Sequence, residues 1–132
     1  MMASLLIAIG GALGSLARYW INIAIVARTG EVFPWGTVLI NISGSFLIGL
    51  LASLTGPEGR WAVSPEFRLF MLVGFCGGYT TFSSFSLQTL ALFQAGDPLR
   101  AGANVLLSVT LCLVAVWLGY SGPAALSRII RS

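Results

Sequence analysis

Four apolar stretches, each long enough to cross a bilayer, constrain this chain most: residues 3–26, 35–54, 67–93 and 102–120. A bilayer-spanning helix takes about 20 apolar residues. Four of them with short loops account for the length, so the chain reads as a single transmembrane domain over 1–132 with no appended soluble module. A soluble alternative fails on charge. Only 8% of residues are charged, against about 25% in an ordinary soluble domain. Disorder fails as well, because it needs low hydrophobicity and high net charge. The expected fold class is all-α integral membrane, with four transmembrane helices per chain.

The few charges mark the loops. Seven arginines and four acids (Glu31, Glu58, Glu66 and Asp97) are the whole set, with no lysine and no histidine. The arginines are scattered, so no basic patch for nucleic acid is present in the sequence. No basic residue precedes Arg18, and apolar sequence resumes after it, so the first stretch reads as a retained helix and not as a signal peptide. Trp35, Trp61, Trp117 and Tyr120 fall near span ends, as interfacial aromatics do. Both termini and the 55–66 loop share one side. That side carries Arg60, Arg68, Arg128 and Arg131, against Arg28 and Arg100 on the other. Four against two is a weak positive-inside bias and leaves insertion in both orientations open. Cys76 and Cys112 lie inside apolar stretches, which fits packing and not a disulfide framework or zinc site.

The third stretch departs from a plain span. It contains Gly74, Gly77 and Gly78, followed by Thr80, Thr81, Ser83, Ser84 and Ser86. The Gly-Gly pair falls near the bilayer centre, which predicts a helix broken there. Irregular backbone at that depth is tolerated only when buried in protein or lining a wet cavity. Broken helices at the midplane hold ions and substrates, with freed carbonyls able to coordinate a cation. A glycine kink serving only close packing is the competing reading. Phe82 and Phe85 are three apart and share a helix face. Their positive ring edges could face an anion, or the rings could simply pack.

Other spans carry polar groups as well. Thr37, Asn41, Ser45 and Gly49 recur every four residues in the second, and Asn104, Ser108 and Cys112 in the fourth. Interhelical hydrogen bonding and a polar track look alike at this level. Gly10 and Gly14 have GxxxG spacing, a close-approach packing face. Arg18 is the charge that lies far into a span; it either snorkels or lines an anion-accessible cavity, and an intramembrane ionisable group favours the second. No acid lies in a span, which argues against a proton-coupled four-helix multidrug or cation exporter, the alternative function. Without histidine, and with acids confined to loops, an enzyme is not expected.

The segments GGALGSLARYW, PWGTVLINISGSFLIG and GFCGGYTTFSSFS together resemble the Fluc (CrcB-type) family of bacterial fluoride channels over essentially the whole chain. The third is the most specific. The resemblance implies a passive fluoride channel of the bacterial inner membrane, conferring fluoride resistance as an antiparallel, dual-topology homodimer with two pores. It implies that Phe82 and Phe85 turn ring edges to fluoride and that Asn41 donates to the ion. Ser83 and Ser84 are the hydroxyls between the rings, and Ser108 belongs to the fourth-helix track. Gly77 and Thr80 match the break whose backbone carbonyls hold a structural sodium ion at the dimer axis. Arg18 and Thr37 are vestibule residues. The family's fourth-helix track is often aromatic where Asn104 stands here. Physical chemistry agrees with the assignment. Hydroxyl and amide donors with ring edges can replace the water of a small, strongly hydrated anion without binding it too tightly to leave. One chain also offers too little wall to enclose a pore, so a dimer is expected on physical grounds.

Overall fold

The computed structural model of the chain describes residues 1–57 and 59–131, with side chains up to Pro123. Glu58, and the side chains of Arg128 and Arg131 that entered the arginine count, lie outside that description. The elements among the described residues are all helices, with no strand among them. Helix α1 spans Met2–Thr29 and α2 spans Trp35–Leu54. A short α3, Pro65–Leu69, runs into a π-helical segment, Phe70–Cys76, and then into α4, Gly77–Tyr79. Helix α5, Phe82–Gln94, and α6, Pro98–Arg131, complete the order. Among the described residues, α1, α2 and the Pro98–Pro123 part of α6 are long and apolar enough to cross a membrane. The third hydrophobic stretch is divided.

Local chemistry explains the ends. Gly30, at φ 74°, turns the chain out of α1 and donates its N–H to Val26 O at 2.8 Å. Such a backbone conformation costs glycine nothing. Ser64 caps α3, accepting from Phe67 N at 3.2 Å, and Pro65 follows at the first helical position. The fourth span begins earlier than residue 102 for the same reason. Asp97 Oδ1 accepts from Arg100 N at 3.0 Å, so Pro98 opens the helix. Helix α6 also continues beyond residue 120, through Pro123, a residue tolerated in membrane helices. The first helix likewise extends beyond 3–26 at both ends.

Glycine sets the packing. Helix α1 lies on the Phe70–Tyr79 segment, and α2 lies on α6. A Cβ on Gly10 would stand 2.6 Å from Phe70 O, and one on Gly74 would stand 2.9 Å from Ile7 O. A Cβ on Gly14 would overlap Phe75 O, and one on Gly78 would overlap Gly11 O. Gly49 and Gly119 are reciprocal, one against the Val116 carbonyl and the other against the Phe46 carbonyl. Small residues allow this backbone approach, the main attraction open to helices that have lipid and not water around them. Gly14→Ala should therefore lower stability by about 1–3 kcal/mol through overpacking. Gly11→Ala, whose Cβ would meet its nearest atom at 3.9 Å, should be neutral in the same detergent melts. Equal melting of the two variants would contradict the glycine-set approach.

Apolar surface faces outward. Leu106, Leu113 and Trp117 on α6 are 64–69% exposed, while Val38, Ile40 and Cys76 are 1% exposed. This is the inverse of a soluble protein and fits a surface covered by lipid or by another chain.

Candidate functional site

The interruption of the third stretch lies at Thr80 and Thr81, not at Gly77–Gly78. Gly77 is helical, with φ −65° and ψ −37°. Thr80 and Thr81 are extended, at φ −83°, ψ 159° and φ −152°, ψ 113°. Gly74 and Gly78 are used for contact with α1, and the break is held instead by a side chain from α2. Asn41 Nδ2 donates to Thr81 O at 3.0 Å, and Asn41 Oδ1 accepts from Thr81 N at 2.8 Å. One amide thus satisfies both backbone groups of the residue that leaves the helix, as a neighbouring strand would. Thr81 Oγ1 then caps α5, accepting from Ser84 N at 3.2 Å.

These bonds release two carbonyls. In a continuous helix Gly77 O would accept from Thr81 N, and Thr80 O from Ser84 N. Here those donors serve Asn41 Oδ1 and Thr81 Oγ1. Gly77 is exposed, with nothing within 4 Å of where a Cβ would stand. No cluster of three or more acids, cysteines or histidines exists among the described residues. The break thus leaves the Gly77 and Thr80 carbonyl oxygens without the helical donors they would otherwise have.

Beside the break lies a cavity of about 380 Å³. Arg18 and Asn22 of α1, Thr37 of α2, Thr81 at the break, and Ser84 and Gln88 of α5 face it. Among the described residues its lining has one cation, hydroxyls and amides, and no carboxylate. Arg18 forms no ion pair among the described residues, where Arg100–Asp97 at 2.9 Å is the pair present. A second cavity, about 370 Å³, shares Asn22, Thr37 and Gln88 with the first and extends to the 30–34 loop. The second is lined mainly by apolar residues, among them Val26, Phe33 and Leu92, with Glu31 at its loop end.

The rings and the fourth helix stand apart from this cavity. Phe82 and Phe85 contact each other with centroids 5.2 Å apart and planes tilted by 51°. They differ sharply in environment: Phe82 is 77% exposed and Phe85 8%. Ser83 is exposed, with its hydroxyl 3.3 Å from Thr81 Oγ1. Ser108 on α6 is buried. It donates to Asn104 Oδ1 at 3.4 Å, Asn104 Nδ2 donates to Thr89 Oγ1 at 2.8 Å, and Thr89 Oγ1 donates to Phe85 O at 2.7 Å. This relay ends on the backbone of the buried ring.

A family profile described as CrcB-like protein, Camphor Resistance (CrcB), matches residues 5–120. A protein of Methylocella silvestris is 57% identical over 127 residues, 96% of this chain and 97% of its own. One from Rhodospirillum rubrum is 56% identical over 127 residues, covering 96% and 98% of the two chains. A third, from Paramagnetospirillum magneticum, is 52% identical over 128 residues, covering 97% and 100%. All three are named fluoride-specific ion channel FluC. The chain belongs to the CrcB-like family.

This CrcB-like chain is a multi-pass membrane protein, as its outward-facing apolar helices require. Within it, Arg18, Thr37 and Ser84 share one cavity, and Asn41 touches that cavity's wall through Thr81. The ring pair, the Ser108 relay and the Gly77 and Thr80 carbonyls form separate groups around the same break. Sequence reasoning missed Asn22 and Gln88. Each stands four residues after a residue singled out above, Asn22 after Arg18 and Gln88 after Ser84, so the spacing that drew attention to Asn41 and Ser108 could have found them. Gln88 Oε1 is the buried side-chain oxygen or nitrogen without a hydrogen-bond partner among the described residues. It was also not foreseen that Tyr79 OH would meet Ser43 Oγ at 2.9 Å, tying α4 to α2 just before the break.

Proposed function

We propose that this CrcB-like chain is a passive, fluoride-selective channel of a bacterial inner membrane, working as an antiparallel, dual-topology homodimer. The observation that carries the reading is the polar cavity ending at the helix break, with an arginine, hydroxyls and amides but no carboxylate among the described residues of its wall. The names of the relatives support the choice of fluoride.

In this reading the third hydrophobic stretch is the remaining crossing, made of two half-helices that meet at Thr80–Thr81. Arg18 raises the local concentration of anions in the vestibule, where Thr37 offers a hydroxyl. Asn41, held against Thr81, keeps a second Nδ2 hydrogen for the ion, since its amide has two and Thr81 O takes one. Ser83 and Ser84 replace water as the ion passes, and Phe82 and Phe85 present ring edges. Ser108 steadies Phe85 from behind through Asn104 and Thr89. The exposed faces of Phe82 and Gly77 are where the partner chain covers this one. Two antiparallel copies would bring four carbonyls, from Gly77 and Thr80 of each chain, around one sodium ion. That ion would supply charge at the seam, while the chain's own amide clamp keeps the carbonyls unpaired.

Fluoride that enters a cell as HF ionises in the less acidic interior, and a passive anion path then lets it leave. Reconstituted protein should release fluoride down its gradient at a rate unchanged when a proton gradient of either sign is imposed. Uphill fluoride movement driven by protons would overturn the channel reading in favour of a coupled exporter.

A further inference from the structure

A separate cavity of about 680 Å³ lies under the 55–64 loop, where α2 ends and α3 begins. Trp61, Val63, Leu69, Leu72 and Val73 give it apolar walls, and Arg68 is the charged residue among the described residues of its lining. It shares no lining residue with the cavities around Arg18.

The arginine is held in place. Arg68 Nε donates to Thr55 Oγ1 at 3.2 Å, and Thr55 Oγ1 donates to Leu51 O at 2.6 Å. Thr55 itself is only 8% exposed. The bond anchors the root of the guanidinium and leaves its terminal N–H groups for another acceptor. Among the described residues Arg68 has no acidic partner. Glu66 is two residues away, which places it on the opposite side of the helix turn, and it does not line the cavity.

Position and shape narrow the acceptor. Thr55 follows Leu54, the last residue of α2, so the cavity sits where hydrocarbon gives way to headgroups. Trp61 is 52% exposed there, as an interfacial aromatic would be. Leu69 and Val73 are 37% and 53% exposed, so the apolar wall is open at its side in the single chain. A fixed cation above an apolar trough is complementary to an anion that carries an apolar tail. We propose that this cavity binds one anionic phospholipid, with its phosphate on the Arg68 guanidinium and an acyl chain along Leu69, Leu72 and Val73. A zwitterionic lipid fits less well, because it brings an ammonium group next to the arginine.

The test is a set of thermal melts of the full chain in a neutral detergent, with phosphatidylglycerol, phosphatidylcholine or soluble glycerol phosphate added. Phosphatidylglycerol should raise the Tm by several degrees, and the other two should give little. Arg68→Gln should abolish the phosphatidylglycerol shift whatever it does to the starting Tm, and Arg68→Lys should retain most of it. Arg28→Gln, at the other end of the span, should leave the shift intact. An equal shift with phosphatidylcholine would overturn the proposal. So would a phosphatidylglycerol shift that survives in Arg68→Gln or is lost in Arg28→Gln. A shift with glycerol phosphate would reassign the cavity to a soluble phosphate and remove the lipid.

Discussion

Asn41→Ala should abolish fluoride flux and destabilise the fold together. The substitution removes both bonds that hold Thr81 outside the helix. Thr81 then keeps an N–H and a C=O without partners inside the membrane. Thr81 is partly buried, and each lost hydrogen bond costs about 0.5–1.5 kcal/mol net, so the pair costs about 1–3 kcal/mol. The chain can lower that cost by letting α4 and α5 join into one helix. Thr81 N would then serve Gly77 O, and the oxygen-rich break would close. Asn41→Asp should also fail, for a different reason. Its carboxylate still accepts from Thr81 N, but it faces Thr81 O and the anion path with negative charge. Asn104→Ala, which cuts the buried amide of the α5–α6 seam, should cost stability without closing the break. The measurements are fluoride efflux and thermal melting on the same preparations. Normal flux and normal melting in Asn41→Ala would contradict the clamp.

The two phenylalanines should separate flux from stability. Phe82, at 77% exposure, does little for packing within its own chain, whereas Phe85 is 8% exposed. Phe82→Ile keeps apolar bulk and removes the ring edge, so as a swap between large apolar side chains its effect on the melt should stay below about 1.5 kcal/mol. Phe85→Ala empties a packed site and should cost about 3–5 kcal/mol. Both should lower fluoride flux by about two- to tenfold, because an aromatic contact is worth about 0.5–1.5 kcal/mol and about 1.4 kcal/mol is a factor of ten. Liposome flux with parallel melts checks the pair. Wild-type flux through Phe82→Ile would remove the ring edge from the account.

Much of this arrangement was legible in the residues, and the misses have physical causes. A run of glycines and hydroxyls in a membrane span announces irregular backbone, and that expectation held for the stretch as a whole. Its location did not, because glycine can equally serve close contact. Gly78 lies against Gly11, and the actual break needed an amide forty residues earlier in the chain. GxxxG at Gly10 and Gly14 read correctly as a packing face, since its physics is local and short-ranged. The contrast between Phe82 and Phe85 was not legible, because spacing places both on one helix face while burial depends on what packs there. Asn22 and Gln88 were within reach of four-residue spacing from Arg18 and Ser84, but their meaning lies in facing a common cavity across α1 and α5. The start of α6 could have been read from Asp97-Pro98, an N-cap followed by a first-turn proline, but the pair looked like part of a turn.

The most direct test of the central claim is ion efflux from liposomes loaded with equal fluoride and chloride, followed with electrodes for both ions after addition of a potassium ionophore. The account predicts fast fluoride loss with chloride retained, and no fluoride loss from liposomes carrying Asn41→Ala. Chloride leaving as fast as fluoride, or fluoride retained by a folded wild-type protein, would contradict it.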